Sequence, residues 1–324
     1  RAFAAKHPLP KGEIHAVWEQ SGEGLYPGDW PRTVKELENA HITDLYLNVC
    51  GAAFAHYPSK VLAPSAVLKN SGNQLFAALK AAEKSPVRVH AWVKCFLAER
   101  ATPATMQEFS RKKWRMLNQD GTESTYLDPS NPALRKHLLD ALDELAKTYA
   151  VDGMHLDFIR WPGSPDKYKS PNPGFKPPDA DLVKWRAMQI ETFLAAARTR
   201  VKSIRPQIQL SAAVLGSWHG AFNSMGQDWK AWMDKGLVDK LVPMNYTEKL
   251  EEFASWTREQ TSTAARAKKI IAGIGVTANE SRLSPRQVME QIVAARKAKC
   301  AGFAFFDLDY MLVNDIIPSL RAGI

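Results

Sequence analysis

The segment of the chain with the clearest potential for chemistry is VDGMHLDFIRWP, residues 151–162. In a β-strand, side chains alternate between two faces, so Gly153, His155 and Asp157 share one face. The opposite face is apolar, as expected for packing against a layer of helices. A carboxylate at the end of such a strand can act as a nucleophile or stabilise positive charge. The alternative is a structural ion pair between Asp157 and Arg160.

Eight short apolar runs of this kind alternate with helical stretches along the chain. The predicted strands are Glu13–Glu19, Asp44–Val49, Arg88–Lys94, Gly153–Ile159, Gln209–Val214, Lys240–Tyr246, Lys269–Val276 and Gly302–Leu308. Alternation with helices favours parallel strands, and eight repeats favour a closed barrel over an open sheet. We therefore expect an α/β fold, a single-domain (β/α)₈ TIM barrel over residues 1–324. A Rossmann-type sheet is disfavoured because no GxGxxG follows an early strand.

Two of the intervening helices have clear start signals. Leucines recur every three or four residues in Pro132–Tyr149, with Asn131 as the predicted N-cap. Ser284 and Gln287 predict a capping box at the start of another helix.

Two connections are long, and both follow the carboxyl ends of predicted strands. Cys95–Asn131 follows the third strand, and the proline-rich Pro162–Pro178 follows the fourth. We expect the second to be ordered but not helical. Because barrel enzymes build their sites at the carboxyl ends of the strands, both loops are expected to be functional.

A longer stretch around Asp157 resembles the signature of glycosyl-hydrolase-like family 10. It reads LDPSNPALRKHLLDALDELAKTYAVDGMHLDFIRWP, residues 127–162. Further matching segments are Leu47–Val49, Tyr57–Ser59, His90–Trp92 and Gln227–Trp229. The resemblance implies a barrel that hydrolyses glycans, and some bacterial members act on the glycan strands of peptidoglycan.

The same segment is also similar to the fourth strand of family 18 chitinases, DGxDxDxE. Here His155 replaces an aspartate, and Ile159 replaces the glutamate that donates the proton in that mechanism. We therefore expect a related shape without the chitinase chemistry.

Glycoside hydrolysis normally needs a second carboxyl group besides Asp157. Glu248, in the loop after the sixth strand, is predicted to face Asp157, or else is an exposed residue before a helix. Asp228 is a further catalytic candidate, although capping of the helix Trp229–Lys235 is the better explanation. Asp307 ends the eighth strand and could line the same site, or either it or Asp309 caps the closing helix.

Several polar and aromatic residues at or near strand ends are candidates for binding sugar. They are Asn48, His90, Trp92, His155, Arg160, Trp161, Trp218, Asn245 and Tyr246. Flat aromatic faces suit stacking on sugar rings, and amide or phenol groups can bond hydroxyls. Core packing explains about half of the tryptophans equally well, and an inward histidine is more often a core residue.

The composition limits the partners. The 324 residues carry a net charge of +9, which favours acidic surroundings. The basic residues are scattered without a nucleic-acid module, and no run approaches the roughly 18 apolar residues of a membrane span. Neither the three cysteines nor the histidines show ligand spacing, so we expect no metal and no organic cofactor.

Together these observations predict a glycoside hydrolase acting on a polysaccharide. The rival is a catalytically silent glycan-binding barrel, which would lack a carboxyl group at roughly 5–10 Å from Asp157. We expect the protein outside the cytoplasm, because such glycans lie there and the chain begins without Met.

Overall fold

The computed structural model describes residues 12–177 and 180–318. Its main sheet contains eight parallel strands, each of which overlaps one of the eight predicted runs. The strands are β1 (Ile14–Glu19), β2 (Asp44–Gly51), β3 (Arg88–Lys94), β4 (Gly153–Asp157), β5 (Gln209–Leu215), β6 (Lys240–Met244), β7 (Ile271–Gly275) and β8 (Gly302–Phe306).

The order of the strands closes the sheet. It runs β1-β8-β7-β6-β5-β4-β3-β2, and β2 pairs again with β1. Ala16 of β1 lies beside Asp44 of β2, and Ile14 lies beside Gly302 of β8. A Cβ atom at position 302 would lie 1.9 Å from the Ile14 carbonyl oxygen, so this close pairing requires glycine. The predicted (β/α)₈ barrel is confirmed.

The helices fill the connections between strands. Those in the described residues are α1 (Trp30–Asn39), α2 (Ala66–Ser71), α3 (Gln74–Ala82), α4 (Pro103–Arg111), α5 (Pro132–Thr148), α6 (Leu182–Ile204), α7 (Trp218–Met225), α8 (Trp229–Asp234), α9 (Leu250–Gln260), α10 (Ala264–Ala267) and α11 (Pro285–Lys297). Asn131 caps α5 by accepting from two backbone amides, as predicted. Ser284 and Gln287 form the predicted capping box of α11. No helix in the described ranges is long and apolar enough to cross a bilayer.

The long connection after β3 contains more regular structure than predicted. It holds α4 and two antiparallel strands, Arg115–Asn118 and Glu123–Leu127. The connection after β4 adds a third strand, Tyr168–Lys169, beside Arg115–Asn118. It is otherwise non-helical except for the 3₁₀ turn Pro173–Phe175, and Pro178 lies outside the described residues.

Two smaller elements complete the described chain. The two-residue strand Phe54–Ala55 pairs antiparallel with the end of β2. A π-helical turn, Leu312–Ile316, follows β8.

The chain divides into two compact units, each built from separate segments. Within the described residues, unit 1 comprises 12–48, 74–91 and 240–318. Unit 2 comprises 49–73 and 92–239, without 178–179. The division cuts through β2 and β3, so both units contain parts of these strands.

None of the three cysteines, all of which lie in the described ranges, forms a disulfide. Cys50 and Cys95 are buried, and Cys300 is partly exposed. Burial raises the pKa of the Cys50 and Cys300 thiols to about 12, which keeps them protonated and unreactive at neutral pH.

Candidate active site

Asp157 is the last residue of β4 and lies in unit 2. Its side chain is 5% exposed, and both carboxyl oxygens are held by donors. The indole N–H of Trp92 donates to Oδ2 at 3.2 Å, and the amide of Phe158 donates to Oδ1 at 2.6 Å. The carboxylate therefore has a fixed orientation before any substrate binds.

The backbone just after Asp157 is unusual. Phe158 has φ +50°, a left-handed conformation that an aromatic residue rarely adopts. Two hydrogen bonds from the residues after β3 hold it: Cys95 N donates to Asp157 O at 2.8 Å, and Phe96 N donates to Phe158 O at 3.1 Å. Such strain is concentrated at functional sites, where the surrounding structure enforces it.

Arg160 does not pair with Asp157 in the part of the chain that is described. Its guanidinium lies over the Phe158 ring, 4.6 Å from the ring centre. The described residues therefore do not form the structural ion pair between Asp157 and Arg160 that was the alternative role for Asp157.

Sequence reasoning missed a second charged group beside Trp92. Lys94 ends β3 two residues later, on the same face, and its ammonium lies 4.9 Å from the Trp92 ring centre. Lys94 Nζ pairs with Glu99 Oε1 at 2.6 Å. The signal was available, because alternation places Lys94 on the face of β3 that carries Trp92.

The unit 2 histidines lie in internal hydrogen bonds. His155 is fully buried on β4, with Nδ1 2.9 Å from the Ser211 hydroxyl of β5. His56 lies 2.7 Å from the Ser65 hydroxyl and 3.1 Å from an Arg100 nitrogen. Burial, together with the charges of Arg100 and Lys94, lowers the pKa of His56 to about 3, so this ring is neutral.

Asp228 is the N-cap of α8, which matches the favoured structural explanation. Its carboxylate accepts from the amide of Ala231 at 3.3 Å. It also accepts from the indole N–H of Trp218 at 3.0 Å, and the Trp218 ring stacks on Phe222. The contacts of Trp218 with Asp228 and Phe222 therefore stay within residues 218–228 of unit 2.

Asp307 follows β8 in unit 1 and is largely buried. It accepts from the Gln20 amide at 2.7 Å and from the Thr277 hydroxyl at 3.1 Å. The Phe306–Asp307 peptide bond is cis. Burial raises the pKa of the Asp307 carboxyl, and the charge of Asp309 adds to this rise. Asp309 itself accepts from the Leu312 amide at 2.7 Å and caps the turn after β8.

Glu19, at the end of β1, is a buried carboxyl group that sequence reasoning did not select. It accepts from the amide and hydroxyl of Ser21 and from the Gly22 amide. Burial raises its pKa, outweighing these hydrogen bonds. Its position at the carboxyl end of a barrel strand is the same one that identified Asp157. The three local hydrogen bonds give it a structural task, which is to hold the turn after β1.

The remaining unit 1 candidates have these positions. His90 Nε2 lies 2.7 Å from Asp44 Oδ1, with both groups buried. Asn245 exchanges two side-chain hydrogen bonds with Gln260. Asn48 is buried in β2. Glu248 is exposed and accepts from the Arg282 amide at 3.1 Å.

Aromatic rings gather beside the end of β8 in unit 1. Tyr246 packs against Phe306 at 5.4 Å between ring centres and edge-on against Trp18 at 6.4 Å. Trp18 is buried, whereas Tyr246 and Phe306 are partly exposed.

In unit 2, the buried Trp161 indole donates to the Arg186 carbonyl at 3.0 Å.

No group of three or more His, Cys, Asp or Glu side chains in the described ranges could hold a metal ion.

Comparison with known proteins assigns the chain to a family. The family model "Glycosyl hydrolase-like 10" matches residues 29–282. Glycosyl hydrolase DigH of Escherichia coli K12 is 22% identical over 247 residues, which cover 65% of this chain and 56% of that protein. The chain thus spans about half the length of the curated relatives it matches.

Solved structures of glycoside hydrolases share the fold. The glycoside hydrolase domain of PgaB (BpsB) from Bordetella bronchiseptica superposes with a TM-score of 0.70 at 15% identity, covering 95% of this chain and 98% of that one. The catalytic domain of β-amylase from Paenibacillus polymyxa gives 0.68 at 10% identity, covering 96% and 97%. Because the family model matches most of the chain, the protein belongs to the Glycosyl hydrolase-like 10 family.

Proposed function

We propose that the protein hydrolyses O-glycosidic bonds of a polysaccharide, with Asp157 as the nucleophile or charge stabiliser. The observation that carries this proposal is the carboxylate of Asp157, oriented by Trp92 and followed by a strained residue at the carboxyl end of β4. Positive charge develops at the anomeric carbon as the bond breaks, and a fixed carboxylate stabilises it. A carboxylic acid protonates the leaving oxygen, and water then supplies the hydroxyl group to the sugar and the proton that restores the acid.

The proton donor is the second requirement. Glu248, Asp228 and Asp307 are the predicted candidates, and their surroundings differ. Asp228 is used as a helix cap and Glu248 is exposed. A carboxyl group with a raised pKa keeps its proton to a higher pH than an ordinary carboxyl group, and burial raises the pKa of Asp307. We therefore assign the proton-donor role to Asp307.

For binding, we propose that the partly exposed Tyr246 and Arg160 contact sugar, together with Trp92 beside Asp157. The candidates His90, His155, Asn245 and Trp161 have buried internal partners, which favours a supporting role for them.

We further propose peptidoglycan glycan strands as the substrate, in keeping with the net charge of +9, which suits an acidic polymer. With such a substrate, we propose that the protein acts outside the cytoplasm. The localisation would be disproved by a native precursor that remains in the cytoplasm on cell fractionation.

The test is incubation with peptide-free peptidoglycan strands, chitin oligomers, and α- and β-glucans, followed by analysis of reducing ends. We expect new ends from the peptidoglycan strands, formed about 10³-fold or more slowly with Asp157→Asn. Binding of a glycan without any cleavage across the panel would instead support the rival function, a catalytically silent glycan-binding barrel.

A further inference from the structure

Unit 2 contains a cavity of about 750 Å³. The connection after β4 and the first turns of α6 line it. Its principal side chains are Trp161, Tyr168, Trp185, Ser170, Asn172 and Arg186. The volume lies within the range of small-molecule sites, and three aromatic residues contribute to its walls.

Arg186 is the unusual member of this set. It is 3% exposed, and its Nη2 donates to the Gly163 carbonyl at 2.7 Å. The guanidinium lies 4.6 Å from the centre of the Trp161 ring. Within the described residues, Nε and Nη1 have no hydrogen-bond partner. One carbonyl therefore satisfies only part of a guanidinium with five N–H groups.

The charge of Arg186 also lacks a direct counter-ion in the described ranges. Asp166 influences it only through space and is itself exposed. Burial lowers the pKa of Arg186 to about 10, so the group remains cationic at neutral pH. Lys169 and Lys176 also line the cavity and add positive charge. A buried cation with unsatisfied donors is costly unless an anion binds it.

We propose that this cavity binds a carboxylate-bearing sugar unit, whose carboxylate accepts from the unpartnered N–H groups of Arg186. The planar guanidinium matches a carboxylate, and aromatic walls suit the apolar face of a sugar ring. This inference rests on the proposed function and adds to it a preference for acidic glycans over neutral ones.

The first test compares two ligands on the unaltered protein. The probes are the peptide-free disaccharide of N-acetylglucosamine and N-acetylmuramic acid, and the same disaccharide with its carboxyl group methylated. Isothermal titration calorimetry should give a Kd for the acid that is roughly 10-fold or more below the Kd for the methyl ester. The reason is that hydrogen bonds between charged groups are stronger than those between neutral groups. Equal affinity of the acid and the ester would overturn the proposal.

The second test uses variants of α6. Arg186→Gln should abolish the preference for the acid, and Arg186→Lys should restore part of it. Arg198→Gln is the matched control, because Arg198 lies on the same helix but pairs with Asp239. The control should keep the full preference; loss of the preference in the control as well would contradict a specific role for Arg186. If Arg186→Gln does not fold, the comparison of ligands on the unaltered protein decides.

Failure of this inference differs from failure of the proposed function. If the free acid and the methyl ester bind with equal affinity and are cleaved with equal KM, the acidic subsite is refuted. The proposed hydrolase activity is then still supported. A clear preference for the acid in binding, with no cleavage of any strand, would support the subsite and refute hydrolysis.

Discussion

Asp157 and Asp307 illustrate how position in the fold gives two aspartates different properties. Asp157 is fixed by an indole and a backbone amide, both neutral donors. Asp307 accepts hydrogen bonds from Gln20 and Thr277. Burial raises its pKa, and the negative charge of Asp309 raises it further. The proposed reaction needs a carboxylate and a carboxylic acid at the same pH, and the buried surroundings of Asp307 favour its acid form.

Replacing Asp157 tests the first role. Asp157→Asn keeps the size of the side chain but removes its charge, so we expect kcat to fall by about 10³-fold or more. Glycan binding and the melting temperature should change little, because the loss is confined to the transition state. The exposed Asp152→Asn, in the turn before β4, is the control. An Asp157→Asn protein that is destabilised yet keeps near-normal turnover would rule out the catalytic assignment.

Replacing Asp307 tests the second role through pH. Because burial raises the pKa of Asp307, its protonated form persists to higher pH, and turnover should decline only as the pH rises through this raised pKa. Asp307→Asn should lower kcat/KM and remove this decline. The measurement is kcat/KM as a function of pH for both proteins. If the alkaline decline survives the substitution unchanged, another group is the acid.

At the scale of elements, polar side chains connect neighbouring strands inside the sheet. Asp44 of β2 is completely buried, with one oxygen 2.7 Å from His90 and the other 2.7 Å from Arg88, both on β3. Burial alone would raise the pKa of Asp44, but the hydrogen bond and charge of His90, with the charge of Arg88, lower it. These contacts therefore join β2 and β3.

The stability of this connection should depend on the charge of Asp44. Asp44→Asn removes the charge that faces the partly exposed Arg88 and an acceptor of the buried His90, so we expect a loss of about 1–3 kcal/mol in the free energy of unfolding. Because the folded pKa is lowered, the stabilisation is present above the unfolded pKa and disappears as the pH falls through the folded pKa. Urea denaturation from pH 7 to pH 3 measures both effects.

The exposed Asp120→Asn is the control for Asp44→Asn and should remain close to the parent protein. A variant at position 44 with unchanged stability and unchanged pH dependence would show that the buried pair contributes nothing net.

The N-cap of α5 offers a smaller and local prediction. Asn131 accepts from the amides of Ala133 and Leu134 at 3.0 and 3.2 Å. Asn131→Ala should therefore cost about 1 kcal/mol of stability, which thermal denaturation can resolve. Ser203→Ala, near the end of α6, removes no cap and is the comparison. Equal melting temperatures for Asn131→Ala and the parent would contradict a stabilising cap.

At the scale of the whole molecule, the net charge of +9 should attract an acidic glycan and so lower its KM. Long-range attraction to an acidic glycan is screened as the Debye length falls from about 8 Å at physiological salt to about 3 Å at 1 M. We expect KM for a carboxylate-bearing glycan to rise roughly threefold or more over this range, with kcat nearly constant. A neutral glycan is the control, and an equal rise for both would argue against electrostatic attraction.

The sequence by itself determined the order and type of the main elements. Eight apolar runs, the leucine stripe of α5 and the caps at Asn131 and Ser284 are local patterns, and local patterns follow from backbone periodicity and hydrogen bonding. The same alternation within β4 placed Asp157 at the end of a strand. Resemblance over residues 127–162 then indicated the family that the comparison confirms.

Only the tertiary structure decided which side chains meet and how deeply each is buried. Asp44 and His90 are 46 residues apart, and Trp92 and Asp157 are 65 apart; no periodicity predicts such contacts. Burial raises the pKa of Asp307, and within residues 12–177 and 180–318 it leaves Nε and Nη1 of Arg186 without a hydrogen-bond partner. Desolvation depends on every neighbour that excludes water, so it arises only when distant segments pack together.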